Sequence, residues 1–234
     1  MESNVGFRAY AAVPRAPQEL VELFRGIPVA NIADNMNRLY CVDTAIKPMN
    51  GMPLLGPAFT VKTAEGDNLV IHKALDMARP GDILVVDGFG HMARSLMGEI
   101  MFRYAASRGI AGLLIDGVIR DIDCLDTLGM AVYARGATPR GPYKNGPGEI
   151  NVPVCCGGQV VLPGDIIAGD SEGVVVIRPG DARTTAELAT KMTENEKRIL
   201  ASIADRAVDR SWVGVACAEK KMTQHDGPIL EVFL

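Results

Sequence analysis

The stretch Gly109-Ile-Ala-Gly-Leu-Leu-Ile-Asp-Gly-Val-Ile-Arg-Asp121 decides the fold class of this chain. Its apolar run Ile110–Ile115 is typical of a short strand buried on both faces, and Asp116-Gly117 then indicates a turn. Just beyond it stand Arg120 and Asp121, at the end of a strand where open α/β sheets bind their ligands. Arginine can grip an organic anion and aspartate can hold a hard metal ion. The pair therefore predicts chemistry on a small carboxylate.

A second stretch repeats the strand pattern and indicates a parallel sheet. Ile83–Asp87 has almost no polar break and is predicted as a strand, followed by a glycine loop at Gly88–His91. A helix is predicted from near Gly98 to Gly109, which supplies a C-cap. Strands that are apolar on both faces are typical of parallel sheets covered by helices. Further apolar runs at Gly158–Leu162 and Gly173–Ile177 predict additional strands in a mixed sheet.

The C-terminal region is predicted to form a long helix followed by a polar tail. Its apolar side chains recur at helical spacing: Leu188, Met192, Ile199, Leu200 and Ile203. Glu196 falls inside this stripe, whereas Glu194 points about 160° round the helix. Two interpretations are open: a salt bridge at the edge of the stripe, or packing on a neighbouring subunit whose site Glu196 enters, with Glu194 as second choice. The predicted organisation is an arm at 1–25, a domain at 26–180 and the helix with its tail at 181–234.

Composition excludes several classes of protein. The chain has 234 residues, of which 48% are hydrophobic, enough for a full core. The net charge is −4 without a basic run, so we expect no nucleic-acid partner. No apolar run approaches the roughly 20 residues that span a membrane, and we see no secretory signal. The five cysteines show no Cys-x-x-Cys spacing, which favours free thiols in the cytoplasm.

The predicted start of the helix at Gly98 offers an anion site. The backbone amides around Glu99, Ile100 and Met101 have no partner inside a helix and can bind a carboxylate. Glu99 can act as a base or hold a water molecule, or it is simply a favourable charge in the first turn of a helix. If the two apolar strands are neighbours, Glu99 and Arg120 can face one crevice.

Arg120 and Asp121 each have a purely structural alternative. Arg120 can bind a carboxylate through two parallel hydrogen bonds, or it forms a salt bridge with Asp116, Asp121 or Asp123. Asp121 can ligate Mg²⁺ or Mn²⁺, directly or through water, or it caps the segment that starts at Ile122.

Two further features bear on a site: the three histidines and a stiff loop. None of the three histidines pairs at zinc-ligand spacing, so any metal should be a hard ion held by oxygens. The loop Arg140–Glu149 carries two cations and either lines a site or forms a subunit contact, of which the contact is favoured.

Several motifs together resemble one family, the one that contains the regulator of ribonuclease E activity A and the 4-hydroxy-4-methyl-2-oxoglutarate / 4-carboxy-4-hydroxy-2-oxoadipate aldolases. The resemblance covers about residues 25 to 200. The motifs that carry it are Gly66-Asp-Asn68, Gly98-Glu99, Gly117-x-x-Arg120-Asp121, Arg140-Gly-Pro-Tyr-Lys-Asn-Gly-Pro-Gly-Glu-Ile-Asn-Val-Pro-Val154 and Gly169-Asp-x-x-Gly-Val-Val-Val176. The long loop is more similar to the aldolase branch than to the ribonuclease regulator.

The resemblance implies a compact α/β/α sandwich, similar to a swivelling domain, with a mixed sheet and a long C-terminal helix. It implies homotrimers or homohexamers with active sites between subunits. In that site Arg120 would bind the pyruvyl carboxylate and steady the enolate, helped by the backbone at Gly98, Ile100 and Met101. Asp121 would anchor Mg²⁺ or Mn²⁺. The aldolases carry aspartate where this chain has Glu99.

A glutamate from the adjacent subunit completes the aldolase site, and Glu196 is the candidate here. The leading hypothesis is therefore a class II, metal-dependent pyruvate aldolase. It would cleave 4-hydroxy-2-oxo di- or tricarboxylates to pyruvate and a 2-oxo acid, with oxaloacetate decarboxylation as a side activity. The alternative is a non-catalytic regulator that binds a ribonuclease or another protein assembly. A hydrolase or tautomerase acting on a related oxo acid is a weaker third interpretation.

Overall fold

The computed structural model describes residues 4–225 and residue 227. Among them the helices are α1 (Gln18–Glu22), α2 (Val29–Asp34), α3 (Leu69–Met77), α4 (Glu99–Ser107), α5 (Ala182–Ala204) and α6 (Ser211–Glu219), with a 3-10 helix at Ile122–Thr127. The strands are β1 (Phe7–Ala9), β2 (Lys47–Pro48), β3 (Leu54–Thr63), β4 (Ile83–Ser95), β5 (Gly112–Ile119), β6 (Ala131–Ala137), β7 (Gly148–Ile150), β8 (Val154–Cys156), β9 (Gln159–Val161), β10 (Ile166–Gly169) and β11 (Val174–Ile177).

The described strands form one large mixed sheet and a separate hairpin. The order in the sheet is β1-β7-β3-β4-β5-β6-β2, and β10 pairs with both β3 and β11. The central strands β3 to β6 run parallel to one another, whereas β7, β2 and β10 join antiparallel. The predicted mixed α/β fold with a long C-terminal helix is thus confirmed. Parallel neighbours bring the carboxyl ends of β4 and β5 to the same edge of the sheet.

Strand β5 is longer than predicted, and its turn lies elsewhere. All eight residues of Gly112–Ile119 are buried, so the expected turn at Asp116-Gly117 lies inside the strand. A side chain at Gly117 would meet Leu96 Cδ1 at 2.8 Å, so this glycine allows close packing rather than a reversal. The chain turns only at Asp121, whose φ is 57°.

The predicted loop Gly88–His91 is also wrong, because strand β4 continues through it to Ser95. The register between β4 and β5 shifts on either side of His91, which marks two irregularities in the pairing. Phe89 and Gly90 both have positive φ, at 58° and 66°. The left-handed backbone of these two residues accommodates the extra residues of β4 relative to β5, as in a β-bulge.

Side chains of three apolar clusters form the core. Helices α3 and α4 cover one face of the sheet, where Leu113 and Ile115 of β5 are buried. The opposite face packs on the β8–β9 hairpin through residues such as Leu114. A third cluster joins α1, α2 and the start of α5 to β10 and β11. The core therefore alternates along β5, as side chains do in a strand.

Helix α5 buries a different face from the predicted apolar stripe. Its buried residues are Ala182, Thr185, Ala186 and Ala189. Leu188 and Leu200, both members of the stripe, are 43% and 63% exposed. Most of the stripe is therefore exposed, whereas Met192 is half-buried, and packing of the stripe on a neighbouring subunit stays a prediction.

The chain divides into two compact units, Met1–Thr193 and Glu194–Leu234. None of the residues 194–225 is buried, so the described part of the second unit has no core of its own. No helix among the described residues is both long and apolar enough to cross a membrane. The predicted boundaries at 25 and 180 stay predictions, and the end of the predicted tail lies outside the described residues.

A buried ion pair fixes the N-terminal arm to the turn Pro80-Gly81-Asp82, which precedes β4. Arg15 donates from Nε and Nη2 to the two carboxylate oxygens of Asp82, both at 3.0 Å. The Asp82 side chain is only 3% exposed and also accepts a hydrogen bond from Arg79 N at 2.9 Å. Removing one partner of a buried pair leaves the other charge uncompensated.

We expect Arg15→Met to lower the free energy of unfolding by about 3 kcal/mol, because it strands the Asp82 carboxylate. The matched control is Arg25→Met, since the Arg25–Glu22 pair is solvent-exposed and should contribute little. Urea denaturation of the two variants measures the difference. Equal stability of both variants would contradict a structural role for the Arg15–Asp82 pair.

Candidate active site

Two segments run side by side at the carboxyl end of β5. Leu96 N donates to Val118 O at 2.8 Å, and Arg120 N donates to Met97 O at 3.0 Å. These bonds extend the β4–β5 pairing past the end of both strands. They place Gly98, the residue before helix α4, directly against Arg120.

Gly98 makes the site possible because it has no side chain. A Cβ atom there would lie 2.5 Å from Asp121 Oδ2 and 2.9 Å from both Cγ and Nε of Arg120. Real Cβ atoms essentially never come within 3.0 Å of a heavy atom outside their own residue and its two chain neighbours. Only glycine at position 98 allows both functional side chains to occupy this space.

The carboxylate of Asp121 lies at the N-terminus of helix α4. Asp121 Oδ2 accepts a hydrogen bond from Glu99 N at 3.1 Å. Inside the helix, the first backbone bond is donated by Phe102 N to Gly98 O at 3.0 Å. The amides of Ile100 and Met101 consequently have no intrahelical partner, and they remain available to an anion.

Arg120 pairs with its neighbour rather than with the other predicted acids. Its Nε lies 3.4 Å from Asp121 Oδ2, and the two side chains are 42% and 45% exposed. Asp116, one of the alternative partners, instead accepts hydrogen bonds from Arg135 Nε at 2.5 Å and Gly157 N at 2.7 Å. An exposed, imperfectly aligned pair contributes little stability and leaves the guanidinium able to bind a ligand.

Asp121 does not cap the segment that follows it. The 3-10 helix Ile122–Thr127 begins directly after it, yet the structure shows no hydrogen bond from the Asp121 side chain to that helix. Its left-handed backbone, at φ 57°, instead turns the carboxylate toward Gly98 and Glu99. Aspartate tolerates this conformation better than most residues, and such strain is often found at functional sites.

Glu99 is partly engaged along its own helix. Its Oε1 accepts hydrogen bonds from Arg103 Nε at 2.8 Å and lies 2.7 Å from Arg103 Nη2. The Glu99 side chain is 45% exposed, so this i,i+4 pair is accessible to water. Both predicted roles, a first-turn charge and a group that holds water beside the site, remain compatible with this position.

The loop 140–149 abuts the site in the same chain. Ser95 N and Oγ donate to Arg140 O at 2.8 and 3.0 Å. A Cβ at Gly141 would lie 3.2 Å from Arg120 Nη1. The loop therefore lies beside Arg120 within one chain, as the interpretation that it lines a site expects, and its role as a subunit contact stays a prediction.

Asn68 is a buried polar residue to which the sequence assigned no role of its own; it is part of the motif Gly66-Asp-Asn68. It is 2% exposed, and its Nδ2 donates to Leu96 O at 2.9 Å. Its Oδ1 is buried and has no hydrogen-bond partner among the described residues. An uncompensated buried acceptor is costly and often marks a place where a ligand or water binds. The Gly-Asp-Asn run before a helix was the available signal.

Two of the three histidines lie on β4 and α3. His91, in the bulged part of β4, lies 3.5 Å from Glu65 through its Nδ1. Burial, followed by the charge of Lys144, lowers the pKa of His72. A lowered pKa favours the neutral form of the His72 imidazole.

The thiol of Cys124 lies beneath the acidic side of the site. It is 8% exposed and donates to Asp121 O at 3.1 Å. Burial, and then the charge of Glu99, raise its pKa, and Asp121 acts in the same direction. A thiol with a raised pKa is a poor nucleophile at neutral pH. The site thus carries oxygen donors rather than a reactive sulfur.

The donors present would hold Mg²⁺ or Mn²⁺ through few protein ligands, with water at the remaining positions. No group of three or more His, Cys, Asp or Glu side chains suited to a metal occurs among the described residues. Asp121 is a half-exposed carboxylate with one oxygen engaged by Glu99 N. Mg²⁺ is commonly bound through one or two carboxylates while it keeps several waters, which suits this arrangement. Glu196, the other predicted ligand, is exposed and belongs to the second unit, so its role stays a prediction.

The comparisons with known proteins agree with the motifs. The model of the RraA-like family, described as Aldolase/RraA, matches residues 29–176. A protein of Halalkalibacterium halodurans named "Putative 4-hydroxy-4-methyl-2-oxoglutarate aldolase" is 37% identical over 195 residues. The match covers 83% of this chain and 93% of that protein.

Solved structures of the ribonuclease-inhibitor branch are also similar. Streptomyces coelicolor RraAS2, described as an unusual member of the RNase ES inhibitor RraA protein family, matches with a TM-score of 0.72 and 27% identity. The match covers 80% of this chain and 98% of that one. The RNA-processing inhibitor RraA from Thermus thermophilis matches with a TM-score of 0.60 and 28% identity, over 64% and 92% of the chains. Fold, motifs and sequence identity together show that this chain belongs to the RraA-like family.

Proposed function

We propose that this protein is a divalent-metal-dependent pyruvate aldolase. It would cleave 4-hydroxy-2-oxo di- or tricarboxylates to pyruvate and a second 2-oxo acid. One observation carries the proposal: Arg120, Asp121 and the open amides of helix α4 converge on Gly98. A cation, a carboxylate and free backbone donors around one point suit a substrate that bears a carboxylate and develops negative charge. The name of the relative from Halalkalibacterium halodurans supports the same reaction.

Each group has a chemical role in that reaction. Arg120 and the amides of Ile100 and Met101 would bind the pyruvyl carboxylate and orient the 2-oxo group. Asp121 would hold Mg²⁺ or Mn²⁺, which, when bound, polarises the 2-oxo group and offsets the charge of an enolate. Glu99 would accept the proton of the C4 hydroxyl, directly or through a water that it holds.

Loss of the hydroxyl proton leads to cleavage of the C3–C4 bond. As the C4 hydroxyl loses its proton, a carbonyl forms at C4 and the C3–C4 bond breaks. Its electron pair becomes the enolate of pyruvate, whose charge Arg120 stabilises. Protonation at C3 releases pyruvate. Decarboxylation of oxaloacetate forms the same enolate, so we expect it as a side activity.

We also propose that the active form is a homotrimer or homohexamer. Arg120 and Asp121 are almost half exposed in a single chain, so water is not excluded from the site. Large apolar side chains of the second unit are exposed too, including Leu200 at 63% and Trp212 at 66%. Packing of the second unit on another copy would cover these side chains and bring Glu196 to the neighbouring site.

The central prediction concerns pyruvate release. Purified protein with Mg²⁺ or Mn²⁺ should release pyruvate from 4-hydroxy-2-oxo dicarboxylates and from oxaloacetate, and EDTA should abolish the release. Arg120→Ala should lower kcat/KM about 100-fold or more, because it removes the charge that stabilises the enolate. Arg25→Ala, an exposed arginine outside the site, is the control. No pyruvate from any of these substrates would refute the proposal.

A second prediction tests the close approach at position 98. Gly98→Ala should displace Asp121 and Arg120 together and lower kcat/KM about as much as Arg120→Ala, with the fold retained. Gly180→Ala is the matched control, since a Cβ there would meet nothing within 4 Å. Lyase assays with circular dichroism decide the outcome. Full activity of Gly98→Ala would contradict the site geometry.

A third prediction tests assembly. Leu200→Asp should shift the protein toward monomers in sedimentation velocity and reduce activity, because it places a charge in the proposed subunit contact. Lys197→Asp changes an exposed polar residue of the same helix and should be milder. A wild-type monomer with full activity would exclude the shared site.

The ribonuclease-inhibitor relatives support a second candidate, a non-catalytic regulator that binds a protein partner. The two functions respond differently to loss of a metal. Partner binding by a regulator should persist in EDTA and in the Asp121→Asn variant. A lyase should lose its activity in both.

A further inference from the structure

Arg94 is a second cation of the site, near the end of β4. Its Nη1 donates to Gly141 O at 3.0 Å, and its Nη2 donates to Tyr143 Oη at 2.7 Å. The guanidinium also stacks on the Tyr143 ring, with 4.0 Å between Cζ and the ring centroid. The aliphatic part packs on Gly66, where an added Cβ would lie 3.0 Å from Arg94 Cδ. These contacts hold the guanidinium in one orientation.

The charge of Arg94 is not neutralised within the part of the chain that the structure describes. Both of its hydrogen-bond acceptors are uncharged, and no carboxylate among the described residues forms an ion pair with it. A guanidinium has five N–H donors, of which these contacts use only two. The side chain is partly exposed, so the remaining donors can reach a ligand.

Arg94 and Arg120 flank the same residue. Gly141 accepts a hydrogen bond from Arg94 Nη1, and the Cβ position of Gly141 lies 3.2 Å from Arg120 Nη1. The two Nη1 atoms are thus at most about 10 Å apart, given ordinary backbone dimensions. Two guanidiniums at this spacing suit the two ends of a short chain that carries a carboxylate at each end.

We propose that Arg94 binds the substrate carboxylate that lies farthest from the 2-oxo group. This inference rests on the proposed function, in which Arg120 binds the carboxylate next to that group. Arg94 would then select 2-oxo acids with a second, distal carboxylate over those with a neutral end. A fixed and uncompensated guanidinium favours such selection, because it gains a charge-assisted hydrogen bond only with the anionic end.

The test is equilibrium binding of two ligands that differ only at the distal end. 2-Oxoglutarate and 2-oxopentanoate share the 2-oxo carboxylate and the chain length, but only the first has a second carboxylate. Isothermal titration of the full chain with Mg²⁺ should give a Kd for 2-oxoglutarate about tenfold or more below that for 2-oxopentanoate.

In Arg94→Met this preference should fall to about threefold or less, through weaker binding of 2-oxoglutarate alone. Arg94→Lys should retain part of it. Arg79→Met is the control, because it removes an equal charge from an exposed arginine at the amino end of β4 and should leave the preference unchanged.

A purely structural role of Arg94 would weaken both ligands equally, and that result would overturn the inference. An unchanged preference in Arg94→Met, or no binding of either ligand to the wild-type protein, would overturn it as well. The measurement needs no turnover. Absence of pyruvate release with an Arg94-dependent preference would therefore count against the aldolase function and not against the carboxylate site.

Discussion

The close approach of two chain segments at Gly98 is the constraint on which the candidate site depends. A single Cβ at this position would overlap both Asp121 Oδ2 and the Arg120 side chain. The absence of that atom lets a strand end and a helix start share one volume. The helix then offers backbone donors, and the strand end offers a cation and a carboxylate. Charge and hydrogen-bond donors are in place before any ligand arrives.

The sheet supplies the rigidity that this arrangement needs. Strands β4 and β5 pair in parallel up to Asp87 and Asp116, and the pairing then continues irregularly to Ser95 and Val118. Two acids at the points where the regular pairing stops are used for structure: Asp87 accepts a hydrogen bond from Cys155 N at 3.2 Å, and Asp116 accepts one from Gly157 N at 2.7 Å. These bonds anchor the β8 hairpin on one face, while the candidate site occupies the other side of the strand ends. Functional side chains thus rest on an element that is fully buried.

Much of this could be predicted from sequence, since its signals are local. Unbroken apolar runs predicted the first parts of β4 and β5, and the position of Arg120 and Asp121 after such a run predicted where the candidate site lies. Other features depend on contacts between residues far apart in sequence. The Asp121 carboxylate serves helix α4, 22 residues earlier, rather than the segment that follows it. The bulge at Phe89 depends on backbone angles that no local pattern reveals, and it lets β4 continue past the predicted loop to Ser95, which places Arg94 on a strand.

A crystal structure with Mg²⁺ and oxalate, a planar dianion that resembles the pyruvate enolate, tests the central claim most directly. We expect a carboxylate of oxalate on the Arg120 guanidinium and on the amides of Ile100 and Met101, with the ion beside Asp121. Gly98 should stay in contact with both side chains. Oxalate bound at a different place, or an empty site at saturating oxalate with Arg120 still paired to Asp121, would contradict the claim.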